Sequence, residues 1–198
     1  MGIYFYSSLS KADRVVLLSL LVSIFFDLSF NIITSFYPGR SIAHFYPLVT
    51  TLIWGVAYLI LFKNERTERK IVFSFFVLAV ATIIYLMSQS DLGSQRTQSP
   101  TRAVNYLFLI ILSIIYFFHA IFQNEKSDFL KSSFFWYSAI NLIHFSTAIV
   151  IFTFFEVIMQ QETLLYASMF LKWILLVVSN LMIAFVFYKL SRGTMQSE

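Results

Sequence analysis

The chain has 198 residues, 59% of them hydrophobic and 12% charged, with a net charge of +4, where an average soluble domain carries roughly 45–50% and about 25%. An aqueous domain of this size needs more charge to cover its surface, and disordered or collagen-like chains need far less apolar content or far more than 5 Gly and 3 Pro. The composition therefore points to lipid as the solvent for most of the chain.

Crossing a hydrocarbon core of ~30 Å takes about 20 mostly apolar residues. Six stretches qualify: 15–36, 43–62, 71–88, 103–122, 133–155 and 164–188. Their apolar residues surround each segment instead of alternating, which excludes β-barrel strands. The expected fold is all-α: a polytopic membrane protein, a bundle of six transmembrane helices in a single membrane domain over 1–198.

Ser10 stands before Lys11-Ala12-Asp13 as the start of a capping-box-like sequence, with Asp13 where Glu or Gln is usual. Lys11 and Arg14 ahead of an apolar run resemble a signal peptide. No small-x-small cleavage site follows, and Asp27 and Asn31 do, so a retained helix is expected. Tyr37-Pro38-Gly39 turns the chain, and the second segment holds Pro47 and Gly55, the only Pro or Gly in any span. The turn 62–67 aligns with 122–127. This is either a duplicated hairpin or, the preferred reading, two independent polar helix stops with Asn64 and Asn124 suited to the left-handed C′ position. Ser88 to Thr101 is a polar connection, and Ser99-Pro100 is expected to open the fourth helix. Phe134-Phe135-Trp136-Tyr137 and Tyr188 form an interfacial aromatic belt, whereas Trp54 and Trp173 lie deeper and either line a pocket or, the preferred reading, pack in the core or face lipid.

Lys and Arg set the orientation. Ten lie on one side of the six spans (Lys11, Arg14, Lys63, Arg66, Arg69, Lys70, Lys126, Lys131, Lys189, Arg192), three on the other (Arg40, Arg96, Arg102), and Lys172 lies inside the last. The bias places both termini in the cytoplasm of a cell whose inner membrane holds the chain. The same bias explains the net charge, and no basic stretch carries a nucleic-acid reading motif, so no nucleic-acid partner is expected.

Asp27 and Lys172 are the two formally charged residues well inside the spans. Each would cost about 2.5 to 3.5 kcal/mol at the centre of a lone inserted helix. At ~1.5 Å rise per residue they lie about 2 Å and about 6 Å to the outer side of the bilayer centre, within a lysine stem of each other, so a pair joining the first and sixth helices is expected. Registration of the bundle or outward snorkelling of Lys172 are the plainer alternatives.

Neutral polar residues trace one face on each of four helices. Ser19, Ser23, Asp27 and Asn31 recur every four residues in the first. Ser133, Tyr137, Asn141 and His144 fall within about 80° on the fifth, Asn105, Tyr116 and His119 within about 60° on the fourth, and Ser168, Lys172 and Ser179 within about 40° on the sixth. Such faces turn to protein or to a water-filled cavity. Near the midplane, His144 suits a hydrogen-bonding strut more than a proton relay, and His44 lies at the outer interface.

Zero cysteines exclude disulfides and thiol chemistry. There is no Gly-x-Ser-x-Gly elbow, His-Glu-x-x-His, histidine box or phosphate loop, and the three histidines stand on three different helices. No catalytic residue, metal site or cofactor is expected. The unbroken spans also differ from the interrupted helices of many carriers.

Lys172 in the last helix with Asp27 elsewhere resembles the lysine and counterion of retinal-binding rhodopsins. The chain departs from them in having six spans and Ser168 one turn before the lysine, and added retinal giving no visible absorbance would remove this remote alternative. Phe134-Phe135-Trp136-Tyr137-Ser138-Ala139 through Phe152, with Ser179-Asn180 in the sixth helix, resembles parts of small uncharacterised multipass bacterial membrane proteins. The likeness implies the multipass architecture alone.

The expected function is a non-enzymatic membrane protein acting as sensor, receptor or partner-binding subunit. Its polar intramembrane pocket would comprise Asp27, Lys172, His144, Asn141, Asn31 and His119. Its partners would be the lipid bilayer and a membrane protein or a second copy of the chain. The alternative is a small-solute or proton-coupled transporter or channel using the same residues.

Overall fold

A computed structural model of the chain describes residues 9–36, 45–89, 95–123, 129–153, 158, 162–192 and 195. It is all-α, with no strand among the described residues. Six long helices run in order: α1 (Lys11–Phe36), α2 (Tyr46–Leu61), α3 (Arg66–Ser88), α4 (Gln95–Gln123), α5 (Ser133–Thr153) and α6 (Glu162–Ser191). A 3-10 turn, Phe129–Lys131, leads into α5.

Among the described residues, Arg66–Ser88, Pro100–Phe122, Ser133–Ile151 and Tyr166–Ser191 are long and apolar enough to cross a membrane, so the chain is a membrane protein. The outward faces of α3 and α6 are those of helices in lipid. Leu78 is 62% exposed, Phe170 68% and Trp173 67%, which in water would be an adhesive surface. α2 is apolar but has 16 residues; at ~1.5 Å per residue that is about 24 Å, short of the ~30 Å core.

The helices overrun the apolar stretches at several ends, because hydropathy marks where lipid begins and not where the backbone starts to coil. α3 begins at Arg66 instead of 71, on the helix-favouring Arg-Thr-Glu-Arg-Lys. The expected opening of the fourth helix at Ser99-Pro100 is corrected: α4 begins at Gln95 and carries Pro100 within it. Gln and Arg are good helix formers, and a proline this near the start removes one hydrogen bond in turns that have few to lose.

At the head of α1 the Ser10 hydroxyl accepts from the Asp13 N–H at 3.0 Å and donates to Asp13 Oδ2 at 2.8 Å, while the Ser10 carbonyl accepts from the Arg14 N–H at 3.0 Å. The expected cap forms, with the Asp13 carboxylate accepting from the same hydroxyl that caps its own N–H. At the end of α2 the C-cap is Phe62, and the Lys63 N–H bonds the Ile60 carbonyl at 3.2 Å. Lys63, not Asn64, therefore takes the C′ position. The aligned turn around Asn124 and the turn 37–39 lie outside the described residues.

Neither helix-breaking residue of α2 breaks it. Pro47 stands in the first turn, where its missing N–H has no intrahelical partner to lose. Gly55 is buried against Phe76 of α3, and a Cβ there would overlap the Phe76 ring. Glycine at this position lets α2 and α3 approach closely, the use made of small residues where lipid offers no hydrophobic drive between helices.

The chain divides into two compact units, Ser10–Phe108 and Met1–Leu9 with Leu109–Glu198, the boundary falling within α4. In the first, α2 packs against α1 and α3; in the second, α5 packs against α6.

Candidate functional site

In the unit 10–108, polar side chains join three helices. From the polar face of α1, Ser23 Oγ lies 3.1 Å from the Tyr46 hydroxyl of α2, and Phe26 meets the Tyr46 ring edge-on at 5.5 Å. One turn along α2, Thr50 Oγ1 donates to the Tyr46 carbonyl at 2.8 Å. Asn105 of α4 then donates through Nδ2 to the Pro47 carbonyl at 2.8 Å and to Thr50 Oγ1. Both amide hydrogens of Asn105 are thus used. Its Oδ1 and Thr51 Oγ1 are buried without a hydrogen-bond partner among the described residues.

The second unit has a matching seam. The Tyr116 hydroxyl of α4 lies 2.7 Å from Ser132 Oγ, and Ser132 caps α5 by accepting from the Phe135 N–H at 3.3 Å. Ser133, Tyr137 and Asn141 are buried along α5. At the far end of that face, His144 Nδ1 meets Ser179 Oγ of α6 at 2.9 Å. This contact turns His144 of α5 and Ser179 of α6 toward one another, where an imidazole and a hydroxyl find a partner away from lipid. Asn141 Nδ2 and Ser133 Oγ have no hydrogen-bond partner among the described residues.

Of the six expected site residues, Asn141 is buried on this seam, His144 is half-buried within it, and His119 is half-buried on α4. Asp27 and Asn31 fall in α1 and Lys172 in α6, but their side chains lie outside the described residues, and with them the expected charged pair. His44 also lies outside. Trp54 is buried and packs on Tyr58 with ring centroids 6.3 Å apart, whereas Trp173 is mostly exposed. Among the described residues no three His, Cys, Asp or Glu side chains gather as a metal site would require.

Several seam residues were not among those expected. Tyr46 stands at the start of an apolar helix and looks like an interfacial aromatic. Thr50 and Thr51 look like neutral members of a span, and a carbonyl such as that of Pro47 has no sequence signature. Ser132 was within reach, since a serine just before a helix start is a recognisable N-cap. The belt reading of 134–137 also needs refinement. Phe134 and Tyr137 are fully buried, with Tyr137 on Phe187 at 5.9 Å, while half-buried Trp136 donates from Nε1 to the Leu130 carbonyl at 2.8 Å.

No family model matches the chain, and neither the curated proteins nor the solved structures contain a match to it.

Proposed function

We propose that this is a non-enzymatic six-span protein of the cytoplasmic membrane, both termini cytoplasmic, that works as a sensor, receptor or partner-binding subunit through a polar intramembrane pocket. The observation that carries the reading is unused hydrogen-bonding capacity on buried polar faces. Asn105 and Asn141 are 2% and 3% exposed, and each keeps one amide atom without a hydrogen-bond partner among the described residues. A polar group left so in hydrocarbon costs several kcal/mol. A bound polar molecule, or the side chain of a membrane partner or second copy, relieves that cost. The ten-to-three distribution of Lys and Arg supports the orientation.

The basic turns and the membrane-embedded helices are the routes by which such a signal reaches a partner. The test is isolation of the full chain from its native membrane in a mild detergent. A bound small molecule or stoichiometric second polypeptide is expected. Asn141→Leu should release it while the protein still elutes as the parent does, and retention by that variant contradicts the assigned pocket.

A further inference from the structure

The turn between α2 and α3 forms an open cleft of about 630 Å³, within the size range of small-molecule sites. Its lining includes Leu59 from the last turn of α2, Lys63 just beyond the C-cap, and Arg66, Arg69, Lys70 and Phe73 from one face of α3. The spacing accounts for the α3 wall, because residues 66, 69, 70 and 73 follow the i, i+3, i+4, i+7 pattern that places side chains on one face. The carboxylates of the turn, Glu65 and Glu68, do not line it. Four cations therefore share one concavity, and like charges at such spacing repel one another. A topological role for these charges requires them at this end of the helices. It does not require that they converge on one cleft.

The cleft also changes character with depth. From Arg66 to Phe73 is about 10 Å along the helix at ~1.5 Å per residue, and over that length the lining passes from cations to the Phe73 ring and Ser74, with Leu59 of α2 opposite. A headgroup layer is about 5–7 Å deep on each side of the ~30 Å hydrocarbon core, so a lining about 10 Å long is long enough to pass from a phosphate to the first acyl carbons. A free anion satisfies only the upper part. We propose that this cleft binds the headgroup of an anionic phospholipid, its phosphate among Lys63, Arg66, Arg69 and Lys70 and the start of an acyl chain against Leu59 and Phe73.

Native mass spectrometry of the delipidated full-length protein tests this, with phosphatidylglycerol, phosphatidylcholine or inorganic phosphate added at equal concentration. Phosphatidylglycerol should bind best, and inorganic phosphate should not displace it. Removing two charges with Arg69→Gln and Lys70→Gln should weaken phosphatidylglycerol by about 30-fold, while the swap Arg69→Lys with Lys70→Arg retains it. The Lys11→Gln and Lys131→Gln pair removes the same net charge elsewhere and should change binding less than about 3-fold. If the first pair does not elute as the parent does, Lys63→Gln with Arg66→Gln carries the same expectation. Equal losses in the cleft and control pairs, equal binding of the two lipids, or full displacement by inorganic phosphate each overturn the assignment.

Discussion

Asn105 Nδ2 donates to the carbonyl oxygen of Pro47 at 2.8 Å, joining α4 to the first turn of α2 across 58 residues of sequence. The same amide donates to Thr50 Oγ1, so one buried side chain fastens two successive levels of α2. Interhelical hydrogen bonds in membranes average about 0.6 kcal/mol and reach about 1.7. Asn105→Ala is expected to destabilise the fold by about 1–2 kcal/mol in detergent unfolding. A double-mutant cycle with Thr50→Ala should give a coupling of about 0.5–1.5 kcal/mol; additive effects would show that the contact does not hold the helices.

Gly55 sets the approach of α2 to α3. Alanine is the better helix former by about 1 kcal/mol, yet its methyl overlaps the Phe76 ring, which also packs on Phe108 at 6.3 Å. Overpacking of this kind costs about 1–3 kcal/mol. Gly55→Ala is therefore expected to lower the melting temperature, and Gly55→Ala with Phe76→Leu to recover part of the loss. A stabilised single variant would show that the ring moves aside freely.

The His144–Ser179 contact is a polar link between α5 and α6. Ser179→Ala should destabilise by about 0.5–1.7 kcal/mol, and the same change in a His144→Leu background should do nothing further. A full second loss would mean that the two side chains act independently.

Ser10→Ala removes the N-cap of α1, at a cost of about 0.5–2 kcal/mol, whereas Ser10→Gly costs only a few tenths. Hydrogen exchange at the Asp13 amide should quicken in Ser10→Ala while amides deep in α1 keep their protection. Unchanged exchange at Asp13 would contradict the cap.

What was legible in the sequence is what long-range apolarity and local capping encode. The six apolar runs gave six helices, and Ser10 with Asp13 gave a cap of the expected kind, because these signals act within one helix. Of the wedge expected on α4, Asn105 and Tyr116 are buried and His119 is half-buried. What each one touches was not legible, since the acceptors are a proline carbonyl on α2 and a serine that caps α5. α4 began early because Gln95 to Ser99 is polar enough to look like a loop while still able to coil. The basic turn was visible as a run of charge, but its cleft arises only when Leu59 of α2 and Lys63 of the turn are set beside the 66, 69, 70, 73 face of α3.

A polar interior that serves recognition and not passage of solute is tested by proton and ion flux through the reconstituted full-length protein. No flux above that of empty vesicles is predicted, for the parent and for Asp27→Asn and Lys172→Met alike. Flux in the parent that either substitution abolishes would contradict the claim and make the chain a carrier or channel.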